Sequence, residues 1–138
     1  MGLIRQFIKS FELYPTIYVT VDIHGTILIP SWSKTETYKY YPFAKKVMRM
    51  MSKRDNIKLI MWSCSHLEAL NKYNNKFEED GILFDFVNTN TDCKNSELCC
   101  FDMKHYTDVG FDDKFGFNPY IDWFKLYIYF IIKRILGN

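Results

Sequence analysis

Four short apolar runs, each leading into polar residues, are the feature of this sequence that most restricts its fold. They are IYVTVDI at 17–23, IKLIMWS at 57–63, the run from Ile82 to Asn88 and the run from Thr107 to Phe111. Their length and their β-branched and aromatic residues are typical of β-strands. Because apolar and polar residues do not alternate within them, we expect buried strands of a parallel sheet.

Residues with helical spacing separate these predicted strands. The first helical set follows Pro42, which favours the first turn of a helix, and the second follows Ser65 and stops at Gly81. The sets are Phe43, Ala44, Val47, Met48 and Met51, and then Leu67, Leu70, Tyr73 and Phe77. This alternation predicts an α/β fold with a doubly wound, Rossmann-like, mostly parallel sheet and helices on both faces.

A helix is also predicted at each end of the chain, an amphipathic one within 1–16 and a largely apolar one within 119–136. These helices can pack on the sheet, form a homodimer face or lie in a membrane interface. The basic residues that would border such an interface are Arg5, Lys9, Lys125, Lys133 and Arg134. The uninterrupted apolar run from Leu126 to Ile132 is far shorter than the roughly 20 residues that span a bilayer, so we expect no transmembrane segment.

Composition sets the class of the protein. A length of 138 residues favours a single domain over 1–138, and 48% apolar residues exclude a disordered chain. A net charge of +2 lacks the basic excess typical of general nucleic-acid binding. Cys64, Cys93, Cys99 and Cys100 occur without the apolar core of a signal peptide near the N-terminus, which predicts a cytoplasmic protein with free thiols.

Polar residues at the strand ends carry the chemistry. DIHGT at 22–26 closes the first strand, Ser63 closes the second, Lys104 precedes the fourth, and Asp112 and Asp113 follow it. Open parallel sheets bind ligands beyond the carboxyl ends of their strands. Carboxylates that meet there repel one another unless a divalent cation neutralises them, and oxygen-only ligands suit Mg²⁺. The sequence therefore predicts a magnesium site.

These elements together resemble the haloacid dehalogenase-like hydrolase superfamily. VTVDIHGTIL matches its first motif, an apolar strand followed by D-x-D-G-T, except at the third motif position. LIMWS matches the second motif, a lysine forms the third, and VGFDDK matches the paired acids of the fourth. LIMWS, GFDDKFGF and the following Asp122-Trp123 are closer still to small bacterial and phage members without a cap domain.

The resemblance implies a Mg²⁺-dependent phosphatase in which Asp22 attacks phosphorus and forms an aspartyl-phosphate. The side chains of Asp22 and Asp113 and the backbone carbonyl of His24 would bind the metal, with Asp112 beside it. His24 stands where the family has its acid–base aspartate. A histidine can perform acid–base chemistry near neutral pH, but its presence can also mark lost activity.

The resemblance also assigns the residues that would bind and stabilise the phosphate. Ser63, with Cys64 beside it, would bind a phosphoryl oxygen, and Lys104 would offset negative charge, although Lys94 or Lys114 could serve instead. Gly25 would permit the tight turn after Asp22, and Thr26 would brace that turn. The alternative function is a catalytically silent fold that serves as an interaction or oligomerisation module.

The distance along the chain between Asp22 and Ser63 leaves space only for a short flap, from about Leu28 to Tyr41, and for no cap domain. An open site would admit a small phosphate ester or a nucleic-acid end, and phosphoryl transfer to an acceptor other than water would use the same residues. The flap residues with aromatic or basic character, which fit a nucleotide or a sugar phosphate, are Trp32, Lys34, Tyr38 and Tyr40.

Overall fold

A computed structural model of the chain describes residues 2–31 and 38–137 and has the predicted α/β, Rossmann-like architecture: a four-stranded, all-parallel sheet flanked by four helices. Trp32 and Lys34 of the predicted flap lie outside the described residues. The elements in chain order are α1 (Leu3–Leu13), β1 (Ile17–Asp22), α2 (Ala44–Ser52), β2 (Ile57–Trp62), α3 (Leu67–Glu79), β3 (Phe86–Val87), β4 (Val109–Phe111), a short 3-10 helix (Asp113–Phe115) and α4 (Asp122–Ile135).

The order of strands in the sheet is β3-β2-β1-β4. The chain winds outward from β1 through β2 to β3 and then returns to the other side of β1 as β4. In register, Val21 of β1 lies beside Met61 of β2 and Phe111 of β4. The carboxyl ends of β1 and β4 therefore flank the point where the strand order reverses, which is where open sheets bind ligands.

Residues 23–43 connect β1 to α2, a length too short for a separate cap domain with its own core. Within the described part of this connection, Leu28 forms isolated β-bridges with His24 and Tyr40. The prediction that Pro42 occupies the first helical turn is wrong. Phe43 adopts a left-handed conformation with φ of 67°, so that α2 begins only at Ala44.

Both terminal helices contribute to one hydrophobic core. The ring centroid of Phe7 in α1 lies 5.7 Å from that of Phe111 in β4 and 5.9 Å from that of Phe130 in α4. Trp123 of α4 is fully buried. Over residues 2–31 and 38–137, no helix combines the length and apolar character needed to span a bilayer.

Candidate active site

Three carboxylates converge at the point where the strand order reverses. Asp22 is the last residue of β1, and Asp112 and Asp113 follow directly after β4. Each of them offers one oxygen atom that lies within 4.8 Å of the oxygen atoms of the other two. The parallel pairing of β1 with β4 brings the two strand ends together, although the residues are 90 positions apart in sequence. We call these residues the acidic trio.

Thr26 connects the two halves of the acidic trio. Its hydroxyl donates a hydrogen bond to Oδ2 of Asp22 at 3.1 Å and accepts one from the backbone N–H of Asp113 at 3.0 Å. The buried indole Nε1 of Trp123 donates a hydrogen bond to the carbonyl of Thr26 at 2.7 Å. The turn after β1 is thereby fixed both to the strand end of β4 and to α4.

Gly25 is required by a backbone conformation and by a close approach. Its φ of +83° lies in the left-handed region, where side chains other than glycine are strained. A Cβ atom at this position would lie 2.8 Å from Oδ2 of Asp113. The absence of a side chain at position 25 therefore lets the Asp113 carboxylate lie close to those of Asp22 and Asp112.

The acidic trio has the electrostatics of a cation site. Burial, together with the charge of Asp112, raises the pKa of Asp22 to about 7, although the hydrogen bond from Thr26 opposes this rise. A divalent cation bound among the three carboxylates would offset their mutual repulsion. Because the donors are all oxygen atoms, the site fits a hard cation such as Mg²⁺.

A cavity of about 590 Å³, which we call the acid cavity, opens at the acidic trio. The predicted site residues that line it are Asp22, His24, Ser63, Cys64, Asp112 and Asp113. Gly25 and Thr26 are buried in the turn behind it. The structure thus brings together six of the predicted residues around one opening.

Asn88 and Ser65 line the same cavity and were not identified from the sequence. The side-chain carbonyl of Asn88 accepts a hydrogen bond from the backbone N–H of Ser63, and its NH₂ group donates one to the carbonyl of Ser63, both at 2.9 Å. The backbone N–H of Ser65 donates to Oγ of Ser63 at 3.1 Å. Asn88 directly follows β3, so the reasoning from strand ends that selected Ser63 would have selected it as well.

His24 is held by Tyr73, a third residue that sequence reasoning did not assign to the site. Nε2 of His24 lies 2.7 Å from the hydroxyl of Tyr73, and the two rings meet edge to face with centroids 5.0 Å apart. Burial lowers the pKa of His24. Burial therefore favours the neutral form of the imidazole that lines the acid cavity.

The lysines are distributed differently from the principal prediction. Lys104 is exposed and lines an adjoining cavity, whereas Lys114 lines the acid cavity with its Nζ 3.9 Å from Oδ2 of Asp113. Lys94 lines neither of these two cavities. Of the three lysines that the sequence offered, Lys114 is therefore the one that lines the acid cavity.

No family model matches this chain, and no curated protein matches it. A solved structure, described as that of a conserved protein coded by a locus of Bacteroides thetaiotaomicron, is similar to it at 25% sequence identity and a TM-score of 0.63. The similarity covers 86% of this chain and 91% of that chain. It therefore extends over most of both molecules and supports the Rossmann-like α/β fold.

Proposed function

We propose that this protein is a Mg²⁺-dependent phosphatase of the haloacid dehalogenase-like type. The observation that carries the proposal is the convergence of the acidic trio, all three oxygens within 4.8 Å of one another, at the carboxyl ends of β1 and β4. The four sequence motifs and their order along the chain supply the reaction class.

In this proposal Asp22 and Asp113 hold the metal through their side chains, His24 through its backbone carbonyl, and Asp112 lies beside it. When bound, Mg²⁺ would supply charge neutralisation for the carboxylates and for the phosphate. Because position 24 contributes only a backbone oxygen to the metal, the histidine at this position leaves the ligand set intact.

Asp22 acts as the nucleophile. One oxygen of its carboxylate forms a bond to phosphorus as the bond from phosphorus to the leaving alcohol breaks, which gives an aspartyl-phosphate and an alkoxide that takes up a proton from solvent water. Water then attacks the phosphorus, loses a proton, and releases inorganic phosphate and the free carboxylate. The hydrogen bond from Thr26 fixes the carboxylate for this attack.

His24 is proposed as the base for the second step. Burial lowers its pKa and so favours the neutral ring, which can accept the proton of the attacking water. Tyr73, through the 2.7 Å contact with Nε2, orients the ring. Ser63 would donate to a phosphoryl oxygen, and Lys114 would offset the negative charge beside Asp113.

Hydrolysis of p-nitrophenyl phosphate, measured with Mg²⁺ and with EDTA, tests this proposal. We expect activity only with Mg²⁺ and a loss of at least about 100-fold in kcat for Asp22→Asn, because the nucleophile is removed. Asp55→Asn is the matched control, since Asp55 is an exposed carboxylate outside both cavities. Activity that is unchanged by Asp22→Asn would reject the mechanism.

A second candidate function, attachment to an anionic membrane surface, is favoured by the outer side of α4. Large apolar side chains there are exposed at three- and four-residue spacing, and we call them the α4 ridge: Ile121, Phe124, Ile128, Ile132 and Ile135. A groove of about 620 Å³ runs beside α4, and we call it the basic groove after its cations: Lys46, Arg49, Lys53, Arg54 and Arg134. Apolar residues bordered by cations are typical of helices that lie in a membrane interface.

A further inference from the structure

A second cavity, of about 410 Å³, adjoins the acid cavity. The two cavities share Trp62 and Asp112 as lining residues. The volume falls within the range of about 300–1,000 Å³ that is typical of small-molecule sites. A ligand whose phosphate lies at the acidic trio can therefore extend its remaining part into this second cavity, which we call the aromatic cavity.

Large apolar side chains at the rim of the aromatic cavity are exposed to solvent. The exposed fractions are 43% for Trp62, 97% for Met103 and 78% for Phe115. Single exposed apolar residues are common, but three of them around one cavity beside a candidate active site are typical of a ligand-binding surface. Two of the three are flat aromatic rings, on which a planar ligand can stack.

The floor of the aromatic cavity is the same face of the sheet that carries Asp22 and Asp112 of the acidic trio. Thr20 lies two residues before Asp22 on β1, and Gly110 lies two residues before Asp112 on β4, so that a side chain at position 110 would project from the same face as Thr20, Asp22 and Asp112. Thr20 and Gly110 are direct neighbours across the two strands. The floor thus continues without a break from the aromatic cavity to the proposed phosphate site.

Hydrogen-bonding groups lie among these apolar walls. His105 packs its ring on Trp62, with centroids 5.2 Å apart, and its Nε2 lies 3.0 Å from Oγ1 of Thr20. Lys104 and Thr107 also line the cavity. A ligand with both a flat face and polar edge atoms would use the walls and these groups together, whereas a sugar would leave the apolar walls without a partner.

We propose that the aromatic cavity binds the nucleobase of a nucleoside monophosphate whose phosphate lies at the acidic trio. This proposal rests on the proposed phosphatase function and names its substrate class. The base stacks on Trp62 and Phe115, and its polar edge faces Lys104. This contact would give the exposed Lys104 a role in binding the base. The phosphate monoester bond then lies between the two cavities.

Gly110 offers a direct way to block this cavity. A Cβ atom built at Gly110 meets no atom within 4 Å, and the backbone there is ordinary strand, so that a side chain can be accommodated without strain. Because it neighbours Thr20 on the cavity floor, a leucine at position 110 would fill the space that the base requires. Phe115→Ala removes a stacking surface instead, and because Phe115 is exposed, the substitution leaves the buried core unchanged.

The test measures the binding of adenosine 5′-monophosphate, ribose 5-phosphate and adenosine by calorimetry, with Mg²⁺ and in the Asp22→Asn background so that no ligand is hydrolysed. We expect Gly110→Leu and Phe115→Ala each to weaken adenosine 5′-monophosphate about 5- to 100-fold and to leave ribose 5-phosphate unchanged. Tyr120→Ala, an exposed aromatic residue that lines neither cavity, is the matched control and should change nothing.

The outcomes separate this proposal from the proposed phosphatase. Adenosine carries no phosphate and so reports on the base site alone. If adenosine binds and Gly110→Leu abolishes this binding, the base site is supported even where Asp22→Asn has no effect on hydrolysis. Equal affinity for adenosine 5′-monophosphate and ribose 5-phosphate would overturn the base site while leaving the phosphatase intact. Weakening of both ligands to the same degree by Gly110→Leu would also overturn it.

Discussion

Asp22 combines two properties that oppose each other in the metal-free protein. It is partly buried beside two other acids, which raises its pKa to about 7, yet it must be ionised to act as a nucleophile. A cation among the three carboxylates would favour the ionised form. The same arrangement that would suit Asp22 to the proposed catalysis with metal bound therefore reduces stability when no metal is bound.

This conflict predicts a pH-dependent effect of Asp22→Asn on stability. An acid with a higher pKa in the folded than in the unfolded state binds protons more tightly when folded, so that stability falls as the pH rises from the unfolded value of 3.8 through about 7. The quantity to compare is the free energy of unfolding of Asp22→Asn minus that of the unmodified protein, both in EDTA. We expect this difference to increase by about 1–2 kcal/mol from pH 5 to pH 8, after allowance for the partial exposure of Asp22.

Urea denaturation at the two pH values measures this difference. Asp55→Asn, which removes an exposed carboxylate, is measured in parallel as the control. Addition of Mg²⁺ at pH 8 should stabilise the unmodified protein more than Asp22→Asn, since the variant lacks one ligand carboxylate. A difference between the variants that stays constant from pH 5 to pH 8 would contradict the raised pKa.

Among the elements, β3 shows why a short strand matters for the site. It contains only Phe86 and Val87, but it is followed by Asn88, whose φ is 55° and whose side chain makes both hydrogen bonds to the backbone of Ser63. Asn88 therefore fixes the turn after β2, and with it the proposed phosphate-binding hydroxyl. It acts through Ser63 as a positioning residue.

Replacements of Asn88 separate its backbone conformation from its hydrogen bonds. Asn88→Gly keeps the left-handed conformation and loses both bonds, so we expect kcat/KM for p-nitrophenyl phosphate to fall about 10-fold, mainly through KM, because the phosphate-binding turn loosens. Asn88→Asp can still accept from the N–H of Ser63 but cannot donate to its carbonyl, and its effect should be intermediate. An Asn88→Gly variant with the kcat/KM of the unmodified protein would exclude the positioning role.

The strands also show how far the sequence determines the fold. β1 and β2 lie inside the sheet, so their continuous apolar runs locate them to within one residue. The run from Ile82 to Asn88 predicts a longer strand than the observed β3. Its first apolar residue belongs to the end of α3 instead: the N–H of Ile82 donates a hydrogen bond to the carbonyl of Phe77 around Gly81, whose φ is +81°. An apolar run alone does not distinguish these two uses.

The residues of the candidate site also differ in how far the sequence predicts their positions. The convergence of Asp22 with Asp112 and Asp113 follows from the parallel sheet, because each residue closes a strand. The position of Lys104 could not be derived, since residues 88–108 between β3 and β4 contain neither a helix nor a strand to fix it. The sequence therefore places the residues that close regular elements, whereas Lys104 lies in a long connection whose course the sequence does not predict.

At the scale of the whole molecule, α4 contributes both to the α4 ridge and to the basic groove, and Phe43 contacts Phe124 of the ridge as well as Tyr127 of the groove. Within the part of the chain that the structure describes, none of the five cations of the basic groove forms an ion pair with a carboxylate. Lys46 and Arg54 lie over aromatic rings, which leaves their charges in place. A second copy docked on this surface would bring these cations face to face, whereas an anionic bilayer would neutralise them.

We expect the protein to bind vesicles with about 30% anionic lipid and to dissociate at high salt, because each surface cation contributes about 1 kcal/mol near an anionic membrane. Ile128→Ser with Ile132→Ser removes part of the α4 ridge, and Lys46→Glu with Arg134→Glu reverses part of the charge; co-sedimentation should show at least about 10-fold weaker binding for each pair. Leu83→Ser, at an exposed apolar residue outside α4, is the control.

Equal binding to neutral vesicles would contradict the role of the cations. A dimer at micromolar concentration that Ile128→Ser with Ile132→Ser dissociates would instead assign the surface to a second copy.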